Sequence, residues 1–506
     1  MSTFDQLVER ANARPDDVAT VTALAEAAAA RQAEHIALPL LTAAAERARD
    51  NALLWQWTGL LHRAIDQHES ALAALNAAAL LAPEDARIAQ GRAQVALEAG
   101  IDAVALFDTA HRLAPSNGDV LLGRIAARVA VGDGATALAE LENLLAQHPG
   151  WYAGHDRLVH LRWMMGDRAR AFETLNRTAD AHPQDGRLWR TLVVALVQAE
   201  RYDGALDAIR RGRAAVGESA LLTTNEAAVL SETGHVAAAD ALFTALPAQS
   251  DISVAVRHVR HLLRTGRIDA ALPIIERWLS PRGPQRAMWP YAAIAWRLSG
   301  DPRAAWLDDD PAFVSVVDLA DRVSDMTRLA IGLRGLHRAK GQHLDQSVRG
   351  GTQTDGPLFS RVEPEIQALR ALIVEAVADH VRKLPKPDPR HPLLAFGRPD
   401  RPRFAGSWSV RLAGRGHHAN HVHPAGWISS AFYVALPSET TAGGQSGWLT
   451  LGAPQAELGL PIAPARTIEP RPGRLVLFPS TMWHGTLPYR TGERLSVAFD
   501  IALPFD

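Results

Sequence analysis

The chain of 506 residues contains no cysteine. Disulfides, thiolate nucleophiles, Cys-ligated zinc and iron–sulfur clusters are therefore excluded, and a cytoplasmic location is expected. Long apolar runs are also missing. A membrane helix needs about 18 or more consecutive apolar residues, and the alanine-rich stretch from Ala23 to Ala30 is short and carries Glu26. No membrane partner is expected. Neither sign of charge prevails: 53 Lys and Arg stand against 55 Asp and Glu, for a net charge of -2. Nothing in that balance asks for nucleic acid or an anionic lipid surface. The opening MSTFDQLVER has no basic flank before an apolar core, so it does not read as a secretory signal.

What is present is an ordinary globular composition, 47% hydrophobic and 21% charged, and it changes character near residue 300. The first part is rich in Ala, Leu and Arg and repeats itself. Pro83, Pro115, Pro149 and Pro183 follow apolar runs that read as helix ends, and Gly217, Pro247 and Pro281 continue the series. Their spacing, mostly 34 residues, is that of the tetratricopeptide helix–turn–helix. Trp55, Gly59, Ala71 and Ala78 in one repeat, and Gly123, Gly132 and Ala137 in another, are small or anchoring positions where paired helices pack closely. Seven or eight repeats are expected over roughly residues 18 to 300. Such a solenoid presents an extended surface to peptides or protein partners. The basic run Arg210, Arg211 and Arg213 reads as a solvated helix face.

Between 301 and 403 the spacing predicts a helix from Val316 to Lys340 and a second from Pro364 to Lys383, with Ile366, Leu369, Ile373, Ala376 and Val377 on one face. The polar, glycine-rich segment from Asp345 to Gly356 lacks the spacing of a phosphate loop and reads as a turn or surface loop. Leu384 to Arg403, dense in proline and charge, reads as a linker. From Phe404 the period becomes two. Trp408, Val410 and Leu412 alternate with polar residues. Short strands are expected at Trp427–Leu436, Gly447–Leu451, Arg474–Phe478, Met482–Gly485 and Arg494–Leu503. That is the pattern of a small antiparallel jelly roll or barrel.

Four histidines, His417, His418, His421 and His423, fall within seven residues. Strand residues two apart share a face, so His421 and His423 can point together into a barrel mouth. His484 follows the apolar strand Arg474–Phe478 and supplies a third candidate. Neutral imidazole suits iron, zinc, copper or nickel. Arg494 opens the last strand, where its planar fork suits a carboxylate and Ser496, on the same face, adds a hydroxyl. A structural ion pair is the other reading of Arg494. His417 and His418 are either donors beside the site or simply exposed, Trp483 reads as barrel packing, and Asp500 either orients a histidine or pairs with Arg494.

These residues carry a resemblance. The set His421-x-His423, His484 and Arg494-x-Ser496 resembles the 2-oxoglutarate and Fe(II)-dependent oxygenases. More narrowly, the chain resembles bacterial proteins joining tetratricopeptide repeats to such a domain, through residues 345–354, Ser407-Trp-Ser-Val410, residues 421–429, Gly473–Pro479 and Trp483-His-Gly485. The resemblance implies an α+β multidomain chain: an all-α tetratricopeptide solenoid over 1–300, a helical connector over 301–403, and a double-stranded β-helix over 404–506. It implies Fe(II) held by His421, His423 and His484, and 2-oxoglutarate held by Arg494 and Ser496, with Tyr433 either near the oxoacid or a plain core aromatic. No catalytic side chain beyond the metal centre is implied. The expected activity is a dioxygenase, a hydroxylase, acting on a peptide or protein substrate recruited by the repeats.

One position departs from the pattern. The superfamily's usual second ligand is Asp or Glu, where this chain has His423, and no acidic residue lies between His417 and Ser438. Three His ligands leave the same open positions as the usual triad with one negative charge fewer. An alternative starts the motif at His423 and puts Ala425 in the acid's place, leaving a coordination gap as in halogenating relatives. Two other classes stay open: an inactive tetratricopeptide interaction protein, and a three-His cupin-like metalloenzyme that does not use 2-oxoglutarate.

Overall fold

The computed structural model describes residues 3–246, 251–344, 346–399, 401–441 and 444–504. Met1, Ser2, Pro247 and Asp345, which entered the sequence reading, lie outside them. Two compact units divide the chain: residues 1–140 with 355–371, and residues 141–354 with 372–504.

The repeat is visible in the helix starts. First helices begin at Val18, Ala52, Ala86, Gly118, Tyr152, Gly186, Ala220 and Ile252, each followed by a second helix, from Glu34–Arg47 to Ile268–Trp278. Two local devices recur with the same period. The residue before a first helix is Asp17, Asn51, Asp85, Asn117, Asp185, Ser219 or Asp251, and its side chain accepts a hydrogen bond from a free N–H of the first turn. Trp151 alone breaks this series. The turn to the second helix passes through a left-handed residue: Gln32, Asp66, Gly100, Gly132, Gly166, Glu200, Gly234 and Gly266 all have positive φ. Close packing explains the small residues within helices. A Cβ on Gly123 would lie 2.2 Å from the Phe107 ring. Pro83, Pro115, Pro149 and Pro183 each follow the end of a second helix. Arg210, Arg211 and Arg213 are paired with Asp207, Asp180, Glu218 and Glu226, in keeping with a solvated helix face.

Among the described residues nine strands follow: β1 (Ser315–Asp318), β2 (Val348–Gln353), β3 (Phe404–His418), β4 (Gly426–Ala435), β5 (Leu449–Leu451), β6 (Arg466–Ile468), β7 (Arg474–Pro479), β8 (His484–Thr486) and β9 (Arg494–Ala502). A six-stranded sheet runs β1-β7-β4-β9-β3-β2 and a three-stranded sheet runs β6-β5-β8, with every pairing antiparallel. This is the double-stranded β-helix. Central β4 and β9 are almost wholly buried because both their edges and both faces are covered.

Two sequence expectations change. Val316 to Lys340 is not one helix. Its start is the edge strand β1, with Val316 exposed, a short 3-10 turn follows at Ala320–Arg322, and the α-helix is confined to Met326–Leu336, opened by Asp325 as its cap. The glycine-rich segment is not a surface loop but the opposite edge strand, β2, pairing Val348 with His418 and Gln353 with Val410. Only one β2 residue is buried, so no apolar alternation announces it. Helix Pro364–Lys383 is as read, with Ile366, Leu369, Ile373, Ala376 and Val377 buried.

Within the second unit the last helices share a core with the β-domain. Val259, Leu263, Ile275, Trp289 and Trp296 pack with Leu458 and Trp483. Trp483 is not barrel packing. Its Nε1–H donates to Pro290 O at 2.9 Å and its ring meets Tyr291 edge-on. Arg264 donates to Glu457 O at 2.9 Å, and Arg297 to Ala463 O at 2.9 Å. Among the described residues no helix is long and apolar enough to cross a membrane.

Candidate metal centre

The site is assembled from two backbone segments that hydrogen-bond to each other. His421 N–H donates to His484 O at 2.9 Å, and His484 N–H donates to His421 O at 3.0 Å. This antiparallel bridge brings the two rings to 4.1 Å between centroids. Asn420 holds the first segment: its Nδ2–H donates to Pro454 O at 2.9 Å. A Cβ at position 485 would lie 2.0 Å from Asn420 Oδ1, so a larger residue after His484 would displace the Asn420 side chain. His423 follows one residue after Val422 and ends in a turn. Its N–H donates to Ser480 O at 2.9 Å, and its carbonyl accepts from Gly426 N–H at 2.8 Å. Pro424 sets the turn and β4 begins at Gly426.

One ring nitrogen from each of His421, His423 and His484 lies within 4.8 Å of the others. The Nδ1 atoms are already engaged. His421 Nδ1 faces Ala419 O at 2.8 Å, His484 Nδ1 faces Met482 O at 3.0 Å, and His423 Nδ1 faces Asp500 Oδ2 at 2.7 Å. Each Nε2 is left as the free donor. Metal-binding histidines are characteristically tied in this way through the other nitrogen. Burial, and then the neighbouring His423, pushes His421 down to about 3. Burial, and then His421, holds His484 well below the usual imidazole range. Both rings are therefore neutral with a lone pair to offer. The donor set fits a divalent transition metal.

The histidines line a recess of about 560 Å³ including its open mouth, together with Arg494, Ser496, Ala498 and Asp500 from alternate positions of β9. Arg494 is 2% exposed. Its Nη1 donates to Gly447 O at 2.8 Å, while its Nε has no partner. No acidic side chain of the described residues forms an ion pair with it, so the structural ion-pair reading is not what the chain builds. The Tyr433 ring lies 5.0 Å from the guanidinium carbon. The hydroxyls of Tyr433 and Tyr489 are buried without partners. A buried cation with an open donor and two open hydroxyls nearby is costly unless an anion arrives.

Sequence reasoning understated several residues. Asp500 serves His423, not Arg494, and its place was signalled by extending the period of Arg494 and Ser496 two further steps. His418 lines the recess and shares a hydrogen bond with Ser347 at 3.1 Å. His417 is not among the recess-lining residues. Gln346, Ser347 and Gln353, on and beside β2, also line it. Tyr489 had no signal beyond being one of five tyrosines.

A family model described as "Putative 2OG-Fe(II) oxygenase" matches residues 406–500. It spans β3 to β9 and contains all three histidines, Arg494 and Asp500, and the family implies Fe(II) and 2-oxoglutarate. Comparison with curated proteins gives no match. Among solved structures, a tetratricopeptide repeat protein from Parabacteroides merdae aligns at 15% identity and TM-score 0.32, over 44% of this chain and 89% of its own. The tetratricopeptide protein YrrB, described with an unusual peptide-binding site, aligns at 18% identity and TM-score 0.25, over 36% and 95%. A Pseudomonas putida prolyl-4-hydroxylase aligns at 17% identity and TM-score 0.26, over 40% and 98%. With eight helix pairs before it, seven of them opened by a side-chain cap, and the matched model over its strands, the chain is a tetratricopeptide-repeat protein with a C-terminal domain matching the "Putative 2OG-Fe(II) oxygenase" family over residues 406–500.

Proposed function

We propose that this protein is a Fe(II)- and 2-oxoglutarate-dependent dioxygenase that hydroxylates a peptide or protein substrate. The observation that carries the reading is the convergence of three imidazoles beside a buried arginine that lacks an anion. His421, His423 and His484 would hold the iron. Arg494 and Ser496 would hold the distal carboxylate of 2-oxoglutarate, with the Tyr433 face supporting the guanidinium. Bound iron with 2-oxoglutarate and dioxygen would supply hydroxylation of an unactivated C–H bond, one oxygen atom going to the substrate and the other to succinate as carbon dioxide leaves. The chain's own part is to bind, orient and keep the recess dry. The Nδ1 bonds fix the ring orientations, and the shared core behind Trp483 fixes the loop that carries His484. The repeats offer a long surface suited to an extended polypeptide, which a free metabolite does not need. We retain 1–300, 301–403 and 404–506 as the proposed functional division, and a cytoplasmic location.

The test is succinate release from 2-oxoglutarate by the full chain with Fe(II). The expected result is turnover that His421→Ala and His484→Ala abolish. Bound metal without succinate would favour a cupin-like enzyme, and neither metal nor succinate an interaction protein; both outcomes reject the proposal.

A further inference from the structure

The three histidines are not held alike. His421 and His484 face neutral backbone carbonyls through Nδ1. His423, which occupies the position where the superfamily carries its acid, faces a carboxylate. Asp500 is itself fixed from the other side. Ser429 Oγ–H donates to its Oδ1 at 2.5 Å, and Ser429 and Ser480 hydroxyls lie 3.0 Å apart. Ser480 in turn accepts the His423 N–H through its carbonyl. A Cβ on Gly426 would sit 2.8 Å from Ser480 Oγ and 3.4 Å from Asp500 Cβ, so the turn after His423 closes directly over this group. The ligand atoms that converge on the candidate site do not include Asp500.

We propose that Asp500 is a positioning residue that returns, through the His423 ring, the negative charge that a carboxylate ligand would bring to the metal. This rests on the three-His reading above. A carboxylate accepting the Nδ1–H fixes the tautomer with Nε2 free and makes Nε2 a stronger donor, which a neutral carbonyl does less well. The missing acid has moved one bond outward, from position 423 to the far side of the ring that replaced it. The exchange keeps three protein ligands and the local charge together.

Titrating the full-length protein with Co(II), a coloured stand-in for iron, tests this without turnover. Asp500→Asn keeps an oxygen for the His423 Nδ1–H and a donor for Ser429, and removes only the charge. It should weaken Co(II) binding about ten- to a hundredfold while the melting temperature of the metal-free protein stays unchanged. In a His423→Asp background the charge sits on the ligand itself, and Asp500→Asn should then cost less than about threefold. Native-like Co(II) affinity in Asp500→Asn overturns the proposal. Equal losses in both backgrounds also overturn it, since they would show a packing effect. His421→Ala keeps the two readings apart: if it binds Co(II) normally, the three-His site itself falls, whatever Asp500 does.

Discussion

Two buried arginines in the second unit differ in what surrounds them. Arg286, in the turn before helix Trp289–Ser299, has no carboxylate partner among the described residues but has its nitrogens used. It donates to Pro424 O at 2.8 Å, Pro281 O at 2.8 Å, Pro392 O at 2.7 Å and Gly426 O at 2.9 Å. Arg494, on β9, donates to one carbonyl and keeps Nε open. Burial lowers the charge affinity of both, Arg286 down to about 10. The same side chain, equally buried, is a clamp in one place and, with an open donor, the proposed receptor in the other. The difference lies in how many acceptors the backbone brings to it. Two of Arg286's acceptors flank the turn that follows His423, so helices from before residue 300 hold the loop that carries a candidate ligand.

The largest expected effect is therefore at the clamp. Arg286→Ala orphans four carbonyls and unties the turn, and should destabilise the metal-free protein by about 3–5 kcal/mol. Thermal melting measures it. Added 2-oxoglutarate should not restore the loss selectively. A melting curve like the native one would erase the distinction between clamp and receptor. At the receptor the pattern reverses. Arg494→Met removes a buried charge with a single protein hydrogen bond and should leave melting near native or raise it. What it should lose is the 2-oxoglutarate contact, on the order of 1.5–3 kcal/mol for a charge-assisted pair. That is about ten- to a hundredfold in affinity, read as the vanishing of ligand-induced thermal stabilisation. Unchanged 2-oxoglutarate stabilisation in that variant would place the oxoacid elsewhere.

The residues of the proposed receptor were legible in the sequence and those of the clamp were not, for a physical reason. Arg494 and Ser496 lie two apart on the central, buried strand β9, whose alternation is strong, while His421 and His423 lie two apart just before β4 and His484 opens β8 soon after the apolar β7. The repeats were legible because one packing solution recurs every 34 residues. Arg286 is far in sequence from three of its four acceptors, Pro392, Pro424 and Gly426, and all four are backbone atoms, which leave no mark in residue identity. β1 and β2 were missed because edge strands bury little, so their alternation is weak. Asp500 sat within reach of the pattern, one step past Ala498, but only the fold decides whether it meets His423 or Arg494.

The smallest effect sharpens the same comparison with two buried histidines away from the candidate metal centre. Burial pushes His391 and His380 each down to about 4. The unfolded chain takes up those protons near the ordinary histidine value of about 6.5. Between about pH 6.5 and 4 the unfolded state binds more protons, so stability is full above that window and is lost as pH falls through it. His391 uses both nitrogens, with Leu307 O at 3.1 Å and Leu393 N–H at 3.0 Å. His380 uses Nδ1, with Ser315 Oγ at 2.7 Å, and its Nε2 has no partner. Leucine at either position should flatten the acid limb of a melting-temperature profile from pH 7.5 to 4.5. At pH 7.5 the two should part. His391→Leu orphans a buried N–H and a buried carbonyl and should cost about 1–3 kcal/mol, whereas His380→Leu also removes an unsatisfied polar atom and should cost less. Equal costs at pH 7.5 would mean that the count of satisfied polar atoms, the basis of the contrast between Arg286 and Arg494, does not govern the interior of this unit.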